Sequence, residues 1–232
     1  MAKVKTTKLD IIRCASELFF EQGYSATSPK HICEVLDIST GNITYYFPTK
    51  EHLLAVFVEM LCDFQWELME MEANEGVSSM LSICLELTAM AAMCEESEIA
   101  KDFYLAVYTS PICLEIVRRN DAKRAMKVFK EYCPGWTEEQ FTEAETIVSG
   151  IEYATMMTTG DSASLETRIA GALNNLLAVY CVPEEVRKAK ISKVLALDYR
   201  KIGQRVLKDF KTYISQANET ALEELINAKN KK

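Results

Sequence analysis

The stretch from Thr27 to Lys50, TSPKHICEVLDISTGNITYYFPTK, leaves the backbone few choices. Ser28 is a good helix N-cap, and Pro29 follows at the first helical position, where a missing N–H costs nothing. Ile32, Cys33, Val35 and Leu36 then give an apolar face at helical spacing. Asp37-Ile38 makes a turn, Ser39 caps again, and Thr40 to Tyr46 has room for only about two helical turns. Pro48 ends them, because it disfavours helical geometry at the residue before it. Thr49 caps a longer helix, with Lys50 and Glu51 in its first turn. The stretch therefore reads as helix, tight turn, short helix, and the start of a long helix.

Projected at about 100° per residue, the short helix points Ile43 and Phe47 inward. Gly41 and Tyr45 lie opposite, flanked by Asn42 and Thr44. This outer face is small, polar and aromatic, without a single acid or base. A solubilising surface would carry Lys or Glu; this one is suited to fitting a groove and hydrogen-bonding what lies there.

The run from Ile12 through Leu54 resembles the DNA-binding domain of the TetR family of bacterial repressors. The matching pieces are LFFEQGYSATS (Leu18 to Ser28), DISTGNITYYF (Asp37 to Phe47) and PTKEHL (Pro48 to Leu53). They cover roughly the first quarter of the chain. The family often carries two tyrosines and a histidine where Thr44, Tyr45 and Tyr46 stand, and glycine where Asp37 stands. The resemblance implies a ligand-responsive regulator, a repressor that holds a palindromic operator as a homodimer and is released by a small apolar or amphipathic molecule.

Helix-turn-helix proteins set the second helix in the major groove, its N-terminal residues near base edges. Ser39, Thr40, Asn42 and Thr44 are the expected polar contacts, and Gly41 permits close backbone approach. Tyr45, Tyr46 and Lys50 are expected on phosphate, as the resemblance also implies, and Thr27 with Ser28 forms a second phosphate site at a helix start.

Net charge is −8, unusual for a DNA binder. Residues 1–52 carry six basic and six acidic side chains, so the whole excess lies beyond them. Lys3, Lys5 and Lys8 could reach a phosphate backbone from an N-terminal arm, but nonspecific attraction is weak.

The first helix starts near Thr7, turns Leu9, Ile12, Ala15, Leu18 and Phe19 inward, and ends at Gly23 in a left-handed cap. The fourth begins at Thr49 and runs to about Glu72, long enough to belong to two units. Breaks at Asn74-Glu75-Gly76, Ser110-Pro111, Pro134-Gly135 and Gly160-Asp161 separate helices at Val77–Cys94, Glu98–Thr109, Cys113–Tyr132, Thr137–Thr159 and Ser164–Tyr180. Thr137 and Gln140 make a capping box. A last helical stretch runs from Pro183 toward Ile214, with a kink at Gly203. No strand pattern appears. The fold expected is all-α: a three-helix helix-turn-helix domain (1–52), joined by a long helix to a larger ligand-binding and dimerisation bundle (53–216), and a fraying tail (217–232).

Large soft side chains crowd the middle helices: Trp66, Met69, Met90, Met93, Phe103, Tyr104, Tyr108, Tyr153, Met156 and Met157. Any one of them is a core residue by default, yet pockets between bundle helices are built from such residues and a few polar groups, here the tyrosines and Glu152. Val148 and Ile151 in one helix, and Ile169, Leu173, Leu176 and Leu177 in the next, form apolar stripes beside small residues. The resemblance places the dimer interface on this pair.

Eight scattered cysteines show no Cys-x-x-Cys pair and only two histidines exist, which does not fit a zinc site. No nucleophile–base–acid set is visible, so no enzyme, metal or cofactor is expected. The richest apolar segment, Val77 to Met93, contains Glu86 and is too polar to favour spanning a bilayer. With no apolar signal core at the N-terminus the expected compartment is the cytoplasm. Two other readings stay open: a helical interaction module that has lost sequence-specific DNA binding, and a thiol-based redox-sensing regulator.

Overall fold

The computed structural model describes residues 7–73, 79–159 and 161–218. The N-terminal arm, the break at 74–76, Gly160 and the tail from 219 lie outside the described residues. Among the described residues the chain is all-α, with no strand.

Three helices form the N-terminal unit: α1 (Lys8–Gln22), α2 (Pro29–Leu36) and α3 (Thr40–Tyr46). Thr7 opens α1 with a capping box: Asp10 N–H donates to the Thr7 hydroxyl at 3.2 Å, and Thr7 N–H donates to Asp10 Oδ2 at 2.8 Å. Gly23 closes it at φ 99°, ψ 153°, a positive-φ conformation but not the left-handed helical cap expected from sequence. Ser28 caps α2 by accepting from His31 N–H at 3.1 Å, with Pro29 in the first turn. Asp37 ends α2 at φ 50°, ψ 47°, in the left-handed region. That conformation explains why glycine is usual there; aspartate is among the few other residues that tolerate it. Ser39 precedes α3 in extended conformation but its side chain makes no capping bond, contrary to expectation.

Ile12, Phe19, Ile32, Ile43 and Phe47 close the small core, each fully buried or nearly so. Val35 does not join it. It is 56% exposed, because the eight-residue α2 buries only a narrow stripe on Ile32 and Cys33.

α4 (Lys50–Ala73) is 24 residues long, about 36 Å at 1.5 Å per residue. It leaves the small unit and enters the bundle made by α5 (Met80–Glu96), α6 (Glu98–Thr109), α7 (Pro111–Phe129), α8 (Glu138–Met156), α9 (Leu165–Val179), α10 (Glu184–Leu195) and α11 (Tyr199–Gln216). The helix expected from Glu98 to Thr109 has those bounds, and the Thr137–Gln140 capping box has both its bonds, at 2.9 and 3.3 Å. α5 is the axis. It packs against α4, α6, α8, α9, α10 and α11, and is apolar on every side because it is buried on nearly every side. No helix among the described residues is long and apolar enough to cross a membrane.

The final stretch differs from the sequence reading. It breaks at Ala196–Asp198, not at Gly203, and Asp198 caps α11. Gly203 sits inside a regular helix where a Cβ would lie 2.7 Å from the Ala89 carbonyl oxygen. The glycine serves the close crossing of α11 on α5.

One apolar cluster runs through both units, so the boundary expected at 52/53 falls in the first turn of α4 rather than in a linker. Phe20 of α1 lies between Phe103 of α6 (ring centroids 5.3 Å) and Phe210 of α11 (6.0 Å). Lys211 pairs with Glu17 and Glu21, and an Arg13 guanidinium N–H donates to Ala217 O at 2.6 Å.

Candidate nucleic-acid interface and bundle cavity

α3 presents Thr40, Gly41, Asn42, Thr44 and Tyr45 on one open side, with Ser39 at its start. Tyr45 is 81% exposed, its ring edge-on to that of half-buried Tyr46 at 4.9 Å. The Thr44 hydroxyl donates to Thr40 O at 3.1 Å, which leaves its lone pairs free to accept. A Cβ on Gly41 would meet only Ser39 Oγ, at 3.6 Å, so nothing in the chain requires glycine there.

Two expected phosphate contacts face elsewhere. Thr27 is 1% exposed; its hydroxyl donates to Gly23 O at 2.9 Å and accepts from Gln22 Nε2 at 3.1 Å. It braces the α1–α2 turn, and only Ser28 of that pair is exposed. Lys50 is half-buried: its ammonium donates to Tyr24 O and stands 3.7 Å from the centre of the Tyr24 ring. Burial lowers its pKa, against the pull of Asp102 and Glu51. Lys50 thus pins the α1–α2 turn. Asp102 of α6 holds the same turn, accepting from Ser25 N–H at 2.8 Å and from the Ser25 hydroxyl.

Inside the bundle a small cavity, about 60 Å³ in volume, opens between α4, α5, α6, α7, α8 and α9. Of the residues expected to line it, Met90, Tyr104 and Tyr108 do. Trp66 stands one layer out, its ring 4.9 Å under the Arg124 guanidinium, itself a lining group. Met69, Met93, Phe103 and Met156 are buried in core away from the cavity wall, Met157 is half-buried, and Tyr153 is exposed on the outside of α8. The aromatic and methionine pattern could not separate these, since core and cavity wall share a composition.

Sequence reading missed the cavity's charges: Glu86, Asp121, Arg124 and Glu145. Arg124 lies 3.2 Å from Asp121 and 3.5 Å from Glu86, and donates its other nitrogen to Cys62 O. The Tyr108 hydroxyl donates to Glu152 Oε2 at 2.9 Å, the Tyr104 hydroxyl to Gln65 Oε1 at 3.1 Å, and the Tyr180 hydroxyl to Glu145 Oε1. Glu145 Oε2 is buried with no hydrogen-bond partner. Burial, reinforced by Asp121, pushes the Glu145 carboxyl up to about 8; burial raises Glu86 to about 7 and Glu152 well above the usual range. The one legible signal was Glu86, the lone charge in the middle of the most apolar helix.

The expected dimer residues Val148, Ile169, Leu173, Leu176 and Leu177 are buried within a single chain, and Val148 and Leu176 line the cavity. They are monomer core and cannot meet a partner. Only Ile151 is partly exposed. The outer side of α8 and α9 carries instead Ile147, 57% exposed, with Gly150, Ala154, Gly171, Asn175 and Ala178.

Six of the eight cysteines are buried, Cys14 is half-buried and Cys181 is exposed. Burial pushes the thiols of Cys94, Cys113 and Cys133 up, to about 12, 11 and 11, which makes them poor nucleophiles.

Residues 11–56 match the family described as bacterial regulatory proteins, tetR family. The HTH-type transcriptional regulator QacR of Staphylococcus aureus (strain Mu50 / ATCC 700699) is 43% identical over 51 residues, which is 22% of this chain and 26% of that protein's length. Among solved structures, a gamma-butyrolactone receptor (ArpA-like protein) aligns over 86% of this chain and 95% of its own, with 16% identity and a TM-score of 0.43. The TetR family protein CprB from S. coelicolor A3(2) aligns over 84% and 95%, with 18% identity and a TM-score of 0.44.

Proposed function

From the premise that the chain belongs, through its N-terminal domain, to the tetR family of bacterial regulatory proteins, we propose that it is a ligand-responsive transcriptional repressor. In this reading residues 1–52 bind a palindromic operator, 53–216 bind an amphipathic effector and dimerise, and 217–232 form a tail. The observation that carries it is the outer face of α3: exposed, uncharged, hydrogen-bonding, and open at Gly41. Asn42 and Thr40 read base edges from the N-terminal turn, while Tyr45, Tyr46 and Ser28 hold phosphates.

The bundle can bias that face through two elements. α6 lines the cavity with Tyr104 and Tyr108 and holds the α1–α2 turn with Asp102. α4 lines it with Val58 and Gln65 and pins the same turn with Lys50. A ligand that binds one arrangement of these helices better than another shifts the spacing of two recognition helices; equal affinity for both would shift nothing. Coupling of about 1–3 kcal/mol is typical of such linkage. A homodimer follows from the half-site geometry, in which two helices must reach grooves about 34–36 Å apart or a multiple of it.

The test is a titration of the purified chain against DNA flanking its own coding region, with a scrambled duplex as control, at physiological salt. Affinity on the order of 10⁻⁸ M or tighter for one duplex, with two chains per palindrome, supports the repressor. Equal, weak binding to both duplexes transfers the protein to the class of helical interaction modules.

A further inference from the structure

We propose that the bundle cavity takes an organic cation, a protonated amine on an aromatic or alkyl body, whose N–H groups donate to Glu145 and Glu152. The inference rests on the reading of the cavity as an effector site and names the chemistry of the effector.

Glu145 Oε2 is the starting observation. It is a buried carboxyl oxygen on the cavity wall with no hydrogen-bond partner, although the other oxygen of the same carboxyl takes the Tyr180 hydroxyl. A buried polar atom left unpaired carries its full desolvation penalty, and an ammonium arriving from the cavity relieves it by displacing the carboxyl proton and donating to the carboxylate. The second observation is charge. Four carboxyls line the cavity, Glu86, Asp121, Glu145 and Glu152, against one guanidinium. Arg124 is engaged by Asp121, Glu86 and Cys62 O. Among the described residues no salt bridge reaches Glu145 or Glu152, about two turns of α8 further along. An anion entering here meets a wall of four acidic groups whose one guanidinium is already engaged, and a neutral apolar molecule leaves Oε2 unpaired. A protonated amine satisfies both conditions with charge-assisted bonds.

The rest of the wall selects an organic cation over a metal ion. No three acidic, cysteine or histidine groups among the described residues are placed to hold a metal. Val58, Leu61, Val107 and Phe129 offer apolar cover for a hydrocarbon body, and the tyrosine rings suit a cation near their faces. Proton linkage supplies a signature. Burial and Asp121 hold a proton on Glu145, with Glu86 acting in the same sense and the Tyr180 hydroxyl and Arg124 against it. A bound ammonium stabilises the carboxylate, so binding sends the carboxyl proton to solvent and tightens as pH rises.

The experiment is calorimetric titration of the full chain with 4-phenylbutylammonium, its neutral counterpart 4-phenyl-1-butanol, and the anion 4-phenylbutyrate. The expected result is ammonium binding at least tenfold tighter than the alcohol, no binding of the anion, and proton release measured in buffers of different ionisation enthalpy between pH 6 and 8. Glu145→Gln should bring the ammonium down to the affinity of the alcohol and remove the proton release, and Glu145→Asp should restore part of both. The wild-type ranking stands whether or not either variant folds. Equal binding of the three probes, preference for the alcohol or the anion, or no binding of any overturns the proposal. The same probes added to the protein–DNA complex separate the two readings: release by the alcohol or the anion alone keeps the effector-responsive regulator and overturns the cation, whereas tight ammonium binding without release keeps the cation and overturns the response.

Discussion

At Gly41 the fold asks for nothing that alanine lacks. The backbone is helical, and the nearest atom to a built Cβ is an exposed serine oxygen at 3.6 Å. Alanine is favoured over glycine in a helix by about 1 kcal/mol, so Gly41→Ala should leave the melting temperature unchanged or higher. If the α3 face enters a groove, the added methyl group stands between backbone and base edges, and operator affinity should fall tenfold or more in a gel-shift titration. Full affinity in the variant would remove Gly41 from the interface. Glu145 gives the opposite case, a residue the fold tolerates at a cost. Its carboxyl titrates near 4.5 in an unfolded chain and near 8 when folded, because burial disfavours the charge. The folded state therefore holds a proton that the unfolded state lacks between those values, and stability falls as pH rises through the window, by about 1.4 kcal/mol per pH unit for a single group. Glu145→Gln should flatten that slope in urea melts at pH 5, 6, 7 and 8. An unchanged slope would place the proton elsewhere.

Elements were legible where their ends carry their own chemistry. Ser28-Pro29, the Thr137–Gln140 box and the Ser164 cap each satisfy local N–H groups, so a window of four residues contains the whole signal. Gly203 was misread because a glycine inside a helical pattern has two explanations, and only the neighbouring helix decides between them. The break fell at Ala196–Asp198, where the Asp198 cap is weaker as a sequence signal than a glycine. Gly203→Ala should push α11 off α5, since the methyl would meet the Ala89 carbonyl at 2.7 Å, and should destabilise the chain by about 1–3 kcal/mol in a urea melt. α6 is the element that touches both the cavity and the α1–α2 turn. Asp102→Ala removes the hydrogen bonds to Ser25 without altering the cavity wall. The expected outcome is unchanged effector affinity by calorimetry with weakened effector-driven DNA release. Release at the wild-type level would assign the coupling to α4 alone.

For the whole molecule, sequence periodicity reported burial but not the partner that causes it. Leu173, Leu176 and Leu177 are as apolar and as periodic as an interface stripe, yet α5 and α8 of the same chain already cover them. The cavity's charges stayed hidden for a related reason: Asp121, Arg124 and Glu145 come from different helices, and each reads alone as an ordinary surface charge. A second copy can meet only what one copy leaves open. On α8 and α9 that is Ile147 and Ile151 among small residues, and a Cβ on Gly150 or Gly171 would meet nothing within 4 Å. The chain has no internal use for glycine at these two positions, whereas two helices packing against a symmetry mate gain from close approach. Each interface of a two-fold dimer is used twice, so one substitution places two unfavourable groups in the contact. Ile147→Lys, or Gly171→Glu, should therefore shift sedimentation from dimer to monomer while the circular dichroism melt stays close to wild type, and operator binding should weaken because a single recognition helix cannot span both half-sites. A dimer that survives both substitutions would move the interface off α8 and α9, and the symmetry argument for the operator would then have to be rebuilt on another face.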